Sequence, residues 1–295
     1  MNPESRLPVI HLQPDEFRAA LSYTAAATGF NQRLIEKDYF CTLLLHDFAS
    51  LFDSGLIFKG GTSLSKVHAG FYRLSEDLDF IIPVEIDVSR IVRREKIEPV
   101  KQHFASIPSR HSEWQIIEQF VANNLSKQYI GRVGYCSIVS GQTESVVIEV
   151  GMREPLLTSP LKAMALTLLS NRDENAVRVE PPNVTVLSTI ETYAEKIRAA
   201  LSRREPKIRD FYDIAFAIRA GLIDPSDSEL RRLVRLKLAV PGNEPINVSA
   251  SKLQILSRQS DTELKSVLRP DDHANFQLDE MFNVVAQFAA ELEAQ

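Results

Sequence analysis

The chain has 295 residues, 44% of them hydrophobic and 25% charged, and a formal net charge of −5. This is the composition of a globular protein with one large core or two ordinary ones, which excludes a disordered or fibrous chain. No apolar run approaches the ~18 residues of a membrane span, and two cysteines without CxxC spacing and six histidines without HxxxH or HxH argue against structural zinc. Cys41 and Cys136 both sit in apolar surroundings and are expected as buried free thiols of a cytoplasmic protein. The opening "MNPESRLPVIHLQPDEF" lacks a basic stretch followed by an apolar one, so no signal peptide is expected.

Taken in chain order, residues 14–52 repeat apolar side chains at three and four, the helical period. "GLIFKGG" predicts a short buried strand ending in glycines, and "TSLSKVHAGF" predicts a helix with Thr62 as its N-cap. "EDLDFIIPV" is a strand closed by Pro83, and "DVSRIVRREKIEPVKQHFASI" is an amphipathic helix. Three strands follow, "WQIIEQFVAN", "YIGRVGYCSIV" and "ESVVIEVGM", the first two joined through "NLSKQ" as a hairpin. After "VTVLS" the pattern is helical to the end. The expected architecture is α+β: a mixed sheet flanked by helices over 1–185, then a helical region over 186–295.

The chemistry concentrates in "FKGGTSLSKVHAGFYRLSEDLDF", residues 58–80. Alternate side chains of a strand face the same way, so Asp77 and Asp79 project together, roughly 6.6 Å apart along the chain. Two carboxylates side by side repel unless one is protonated or a cation lies between them. Mg²⁺ or Mn²⁺, which prefer hard oxygen ligands, resolves the conflict. Upstream, Gly60 and Gly61 let the backbone approach an anion. A helix opening near Thr62 then aims N–H groups at that anion, with hydroxyls from Thr62 and Ser63 to help. Lys66 lies one turn into that helix, where the anion and the solvent are equally open to it. A phosphate cradle followed by metal ligands suits phosphoryl or nucleotidyl transfer. Walker A spacing fails, because Lys66 is followed by Val67, and GxSxG is absent.

Here "GGTSLSK" with "RLSEDLDF" resembles the first motif of the nucleotidyltransferase superfamily. Its spelling is similar to the AbiEii/MenT toxin group of type IV-style toxin–antitoxin systems. "LIEKDYF" (34–40), "EVGMREP" (149–155) and "EKIRAALSRREPKIRDFYDI" (195–214) resemble the same group. The resemblance implies a nucleotidyltransferase core and an NTP substrate, with metals on Asp77, Asp79 and Glu149. It implies that Lys196 holds the triphosphate, that Arg73 contacts phosphate and that Asp210 completes the site, with Asp213, three residues on, a rival on nearly the same helix face. Ser75 takes the place of a serine that some members use for regulation or in the site; Leu74 stands before it where phenylalanine is common. Implied partners are a tRNA 3′ end as nucleotide acceptor, which would block translation and growth, and a cognate winged-helix antitoxin.

Charge is unevenly spread along the chain. Lys196, Arg198, Arg203, Arg204, Lys207 and Arg209 form a basic stripe against Glu205 alone, and "RRLVRLK" (231–237) adds four more cations, so a local RNA contact is compatible with an acidic protein. Two alternatives stay open: a nucleotidyltransferase that modifies a protein or small molecule, and a metal- or RNA-binding module whose site has lost turnover.

Overall fold

A computed structural model describes residues 10–170 and 179–294. The sequence expectation about a leader falls mainly on residues 1–9, outside the described ones. The chain divides into two units, Met1–Pro155 with Pro160–Val186, and Leu156–Ser159 with Leu187–Gln295.

The first unit opens with helices α1 (Pro14–Thr28), α2 (Gln32–Asp47) and α3 (Ala49–Phe52). Asn31 caps α2 by accepting the Leu34 N–H at 2.8 Å. The three-and-four repeat accounts for one face of α2, yet every residue from Leu34 to Leu45 is buried, including Glu36, Lys37 and Asp38. Strand β1 (Ile57–Lys59) runs into a single α-helical turn, α4 (Gly60–Ser63), which continues as a π-type turn, Leu64–His68. Strand β2 (Asp77–Ile81), helices α5 (Arg90–Ala105) and α6 (Ile107–Arg110), and strands β3 (Gln115–Asn123), β4 (Gln128–Cys136) and β5 (Thr143–Gly151) follow. The unit closes with β6 (Leu161–Met164), which the sequence did not suggest, and β7 (Asn183–Val186).

The seven strands form one mixed sheet in the order β3-β4-β5-β2-β1-β7-β6. β2 runs antiparallel to β1 and parallel to β5, so the acid-bearing strand is central. Its pattern follows from period-two alternation: Leu78 and Phe80 are fully buried, as are Ile148 and Val150 on β5, while Asp77, Asp79 and Glu149 are only half-buried. One sheet face is therefore core, packed with Phe48, Phe52 and Phe58, and burial of each such side chain contributes about 1.5–3 kcal/mol. The opposite face keeps the carboxylates.

The second unit is helical among its described residues: α7 (Thr189–Ser202), α8 (Ile208–Arg219), α9 (Ser228–Leu238), α10 (Ala250–Gln259), α11 (Pro270–Ala274) and α12 (Leu278–Glu293). Phe211 stacks on Phe282 at 5.8 Å in its core. The buried Glu191 accepts the Thr158 N–H and hydroxyl at 2.8 Å each and pairs with Lys237 at 2.8 Å, which ties Leu156–Ser159 into this unit. No helix among the described residues is long and apolar enough to cross a membrane.

Cys41 is buried as expected, but Cys136, at the outer end of β4, is exposed.

Candidate active site

Strand register assembles the carboxylates. Asp79 stands opposite Lys59 on β1 and beside Glu149 on β5, while Asp77 stands beside Val147. Directly paired residues project from the same side of a sheet. Asp77, Asp79 and Glu149 therefore share a face with Lys59, and β5 is a central strand rather than an edge. Among the described residues no three His, Cys, Asp or Glu side chains converge, as they stand, tightly enough to hold one ion.

The glycine pair is required by close approach. Gly60 has φ +78°, and a Cβ there would lie 2.1 Å from Oδ2 of Asp79. A Cβ on Gly61 would lie 2.7 Å from Nη2 of Arg73 and 2.8 Å from Oγ of Ser75. The turn thus brings Asp79 to one glycine and Arg73 with Ser75 to the other.

Around this turn several expected anion contacts serve the fold instead. The helix opens at Gly60 with Lys59 at its N-cap, not at Thr62. Thr62 is buried and donates its hydroxyl to the Asp77 carbonyl at 2.5 Å, and buried Ser63 donates to the Gly60 carbonyl at 3.0 Å. These hydroxyls staple the turn to β2 and to itself. Lys66 is fully buried, its ammonium 2.7 Å from Asp38 Oδ1, 2.8 Å from Thr42 Oγ1 and 3.3 Å from the Leu166 carbonyl. Three donors meet three acceptors, so Lys66 is a structural cation rather than a nucleotide contact. Arg73 is also buried and donates to the Leu74 carbonyl at 3.0 Å.

The stretch "LIEKDYF" explains itself in this frame, a role the sequence alone did not disclose. Glu36 accepts the Ser137 hydroxyl at 2.5 Å and the Ile138 N–H at 2.6 Å, in the turn after β4. Burial raises its pKa despite those bonds. Lys37 reaches Glu76, next to Asp77, at 3.3 Å, and Asp38 holds Lys66. Consecutive residues of a helix point about 100° apart, so a helix buried all round can reach three different segments of the unit at once.

In the helical unit, Lys196 on α7 bridges Asp210 Oδ1 at 3.0 Å and Asp213 Oδ2 at 2.9 Å on α8, so both acids engage it. Arg203 meets Asp210 Oδ2 at 3.1 Å. Burial pushes the Asp210 pKa up, but the charges of Lys196 and Arg203 outweigh it and hold the carboxyl below its ordinary value. Much of the basic stripe is spent in such pairs: Lys207 with Glu263, Arg231 with Glu291, Arg232 with Glu229, and Lys237 buried against Glu191. Arg204, exposed, and Arg209, half-exposed, have no carboxylate partner among the described residues.

No curated protein matches the sequence. Among solved structures the fold is similar to MenT4, a nucleotidyltransferase toxin from Mycobacterium tuberculosis H37Rv, at 22% identity and a TM-score of 0.56, covering 94% of this chain and 90% of that one. JHP933 from Helicobacter pylori matches less closely, at 16% identity, a TM-score of 0.43 and 88% of each chain. The family model described as the nucleotidyl transferase AbiEii toxin of type IV toxin–antitoxin systems matches residues 42–290. That span takes in β2, Glu149, Lys196 and Asp210, and the chain belongs to the AbiEii nucleotidyltransferase toxin family.

Proposed function

We propose that this nucleotidyltransferase moves a nucleotide from an NTP to the 3′ end of an RNA, with tRNA the acceptor the family resemblance favours, and so arrests translation. The observation that carries the catalytic half is the register that lines up Asp77, Asp79 and Glu149 on one sheet face beside the Gly60–Gly61 turn. The donor set fits Mg²⁺ or Mn²⁺, since it is all hard carboxylate oxygen and Gly60 leaves the Asp79 carboxylate uncrowded by a side chain. A bound divalent ion would neutralise phosphate charge and lower the pKa of the attacking hydroxyl. The chain's own groups do the rest: Gly60 and Gly61 let the backbone approach the polyphosphate, with Ser75 beside Gly61. Lys196 supplies the cation for the triphosphate, and Asp210 and Asp213 hold its ammonium ready. A cognate antitoxin and a cytoplasmic site of action complete the proposal.

One observation favours a second reading, a protein or small-molecule acceptor: Lys196, Arg203 and Lys207 of the stripe, and Arg231 beyond it, are already paired with carboxylates. Incubation with each radiolabelled NTP, Mg²⁺ and total cellular RNA separates the two. Label is expected in RNA of tRNA size, and Asp77→Ala or Asp79→Ala is expected to abolish it while the thermal transition is retained or slightly raised, because like-charge repulsion is relieved. Expression in a bacterial host is expected to arrest growth only with both aspartates present. Label confined to protein or metabolites would sink the RNA acceptor, and full transfer by either variant would sink the catalytic assignment.

A further inference from the structure

Lys59 is the last residue of β1, immediately before the glycine turn, and it stands directly opposite Asp79, which stands beside Glu149. The three form one row across three strands, and all are half-buried. Two further observations concern the same row. The Asp79 carboxylate lies over Gly60, on the β1 side of its own strand, with its Oδ2, Cβ and Cγ all within 2.8 Å of where a Gly60 Cβ would stand. Among the described residues no group of three His, Cys, Asp or Glu is arranged to hold a metal ion.

We propose that Lys59 is the built-in counter-ion of the carboxylate row: it balances Asp79 in the metal-free protein and yields when a divalent cation binds. The inference rests on the metal-dependent reading above and adds how loading is controlled. Asp77, Asp79 and Glu149 would repel one another on a half-buried face without a cation. An ammonium in the same row offsets part of that repulsion before any metal arrives. Loading is then an exchange of cations, in which the incoming ion works against the positive charge of Lys59. At an effective dielectric near 20, one unit charge across one strand spacing weakens ion affinity by about tenfold or more.

Mn²⁺ binding to the full-length protein, followed by calorimetry and by the EPR signal of free ion, tests this without reference to turnover. Lys59→Met is expected to bind Mn²⁺ about tenfold more tightly than wild type. It is also expected to melt at a lower temperature without metal and to gain more from added Mn²⁺. Lys59→Arg, which keeps the charge, is expected to bind like wild type. Arg132→Met is the control for charge in general. Arg132 pairs with Val147, the β5 neighbour of Asp77, so it shares the face two strands from β2, and it meets Glu118 at 3.2 Å; its loss should leave binding unchanged. If Lys59→Met does not fold, Lys59→Gln is judged by the same criterion. Unchanged or weaker binding in the neutral variant, with Asp79→Asn abolishing it, overturns the counter-ion alone. Equal binding by wild type and Asp79→Asn removes the metal reading and this inference together.

Discussion

A methyl group on Gly60 would stand 2.1 Å from Asp79 Oδ2, and the φ of +78° is one that side-chain-bearing residues avoid. Gly60→Ala must therefore displace either the turn or the carboxylate. It is expected to cost about 1–3 kcal/mol in a denaturant melt and to cut transfer by at least about tenfold, because misplacing a reacting group by ~1 Å has a large effect. Gly55, with φ +93° and nothing near its would-be Cβ, is the matched control: strain without loss of transfer. Lys196 gives a second case at this scale. Its ammonium is shared by Asp210 and Asp213, so Lys196→Ala takes from these two buried acids the cation they share and, on the proposed reading, takes away the cation for the triphosphate. Apparent NTP affinity is expected to fall by about tenfold or more, with partial rescue by Lys196→Arg, whose planar fork is not an ammonium. Unaltered NTP affinity and rate in Lys196→Ala would take the residue out of the site.

Elements in the first unit are joined by charge as well as by apolar packing. Asp47, in the last turn of α2, meets His103 of α5 at 2.9 Å, Arg110 of α6 at 2.7 Å and His111 at 3.0 Å. Burial alone would raise its pKa, but the bonds from His103 and Arg110 dominate and hold the carboxyl well below its ordinary value. A depressed carboxylate contributes stability that is fully present above the unfolded-state pKa of about 3.9 and is lost as pH falls through the folded value. Asp47→Asn is expected to cost about 1–3 kcal/mol at neutral pH. The gap from wild type should narrow only below about pH 4, as read in urea melts between pH 3 and 7. A gap that is constant across that range would mean Asp47 acts by shape, not charge. This clamp lies on the helical side of the sheet, so transfer per folded molecule should be unaffected.

For the molecule as a whole, a net charge of −5 means that an RNA acceptor must find local rather than global attraction. Partners within the helical unit narrow the candidates in the stripe to Arg204 and Arg209, since Asp210 holds Lys196 and Arg203, Glu263 holds Lys207, and Arg198 donates to Asn243. Charge reversal of Arg204 and Arg209 together is expected to weaken RNA labelling by about tenfold or more and to flatten its dependence on salt, while NTP affinity stays as it was. Intact RNA labelling in that variant would move the acceptor off the stripe altogether.

Alternating side chains and the GG–DxD spacing were enough to place Asp77 and Asp79 on one strand face and to point to the family, because both signals are local and repeat with the period of the backbone. Helices α1, α2, α5 and the helical second unit followed from the same kind of local period. Pairing partners are not local. Glu149 lies 70 residues from Asp79 and Lys59 lies 20 before it, and only the parallel and antiparallel register of three strands puts them in one row. β6, four residues long and mostly exposed, carries too little periodicity to be seen before its partner β7 is known. Lys66 and Lys237 are ordinary surface lysines by composition. Each became a buried structural charge because folding brought a carboxylate from another helix, Asp38 in one case and Glu191 in the other, within 2.8 Å to offset the cost of leaving water.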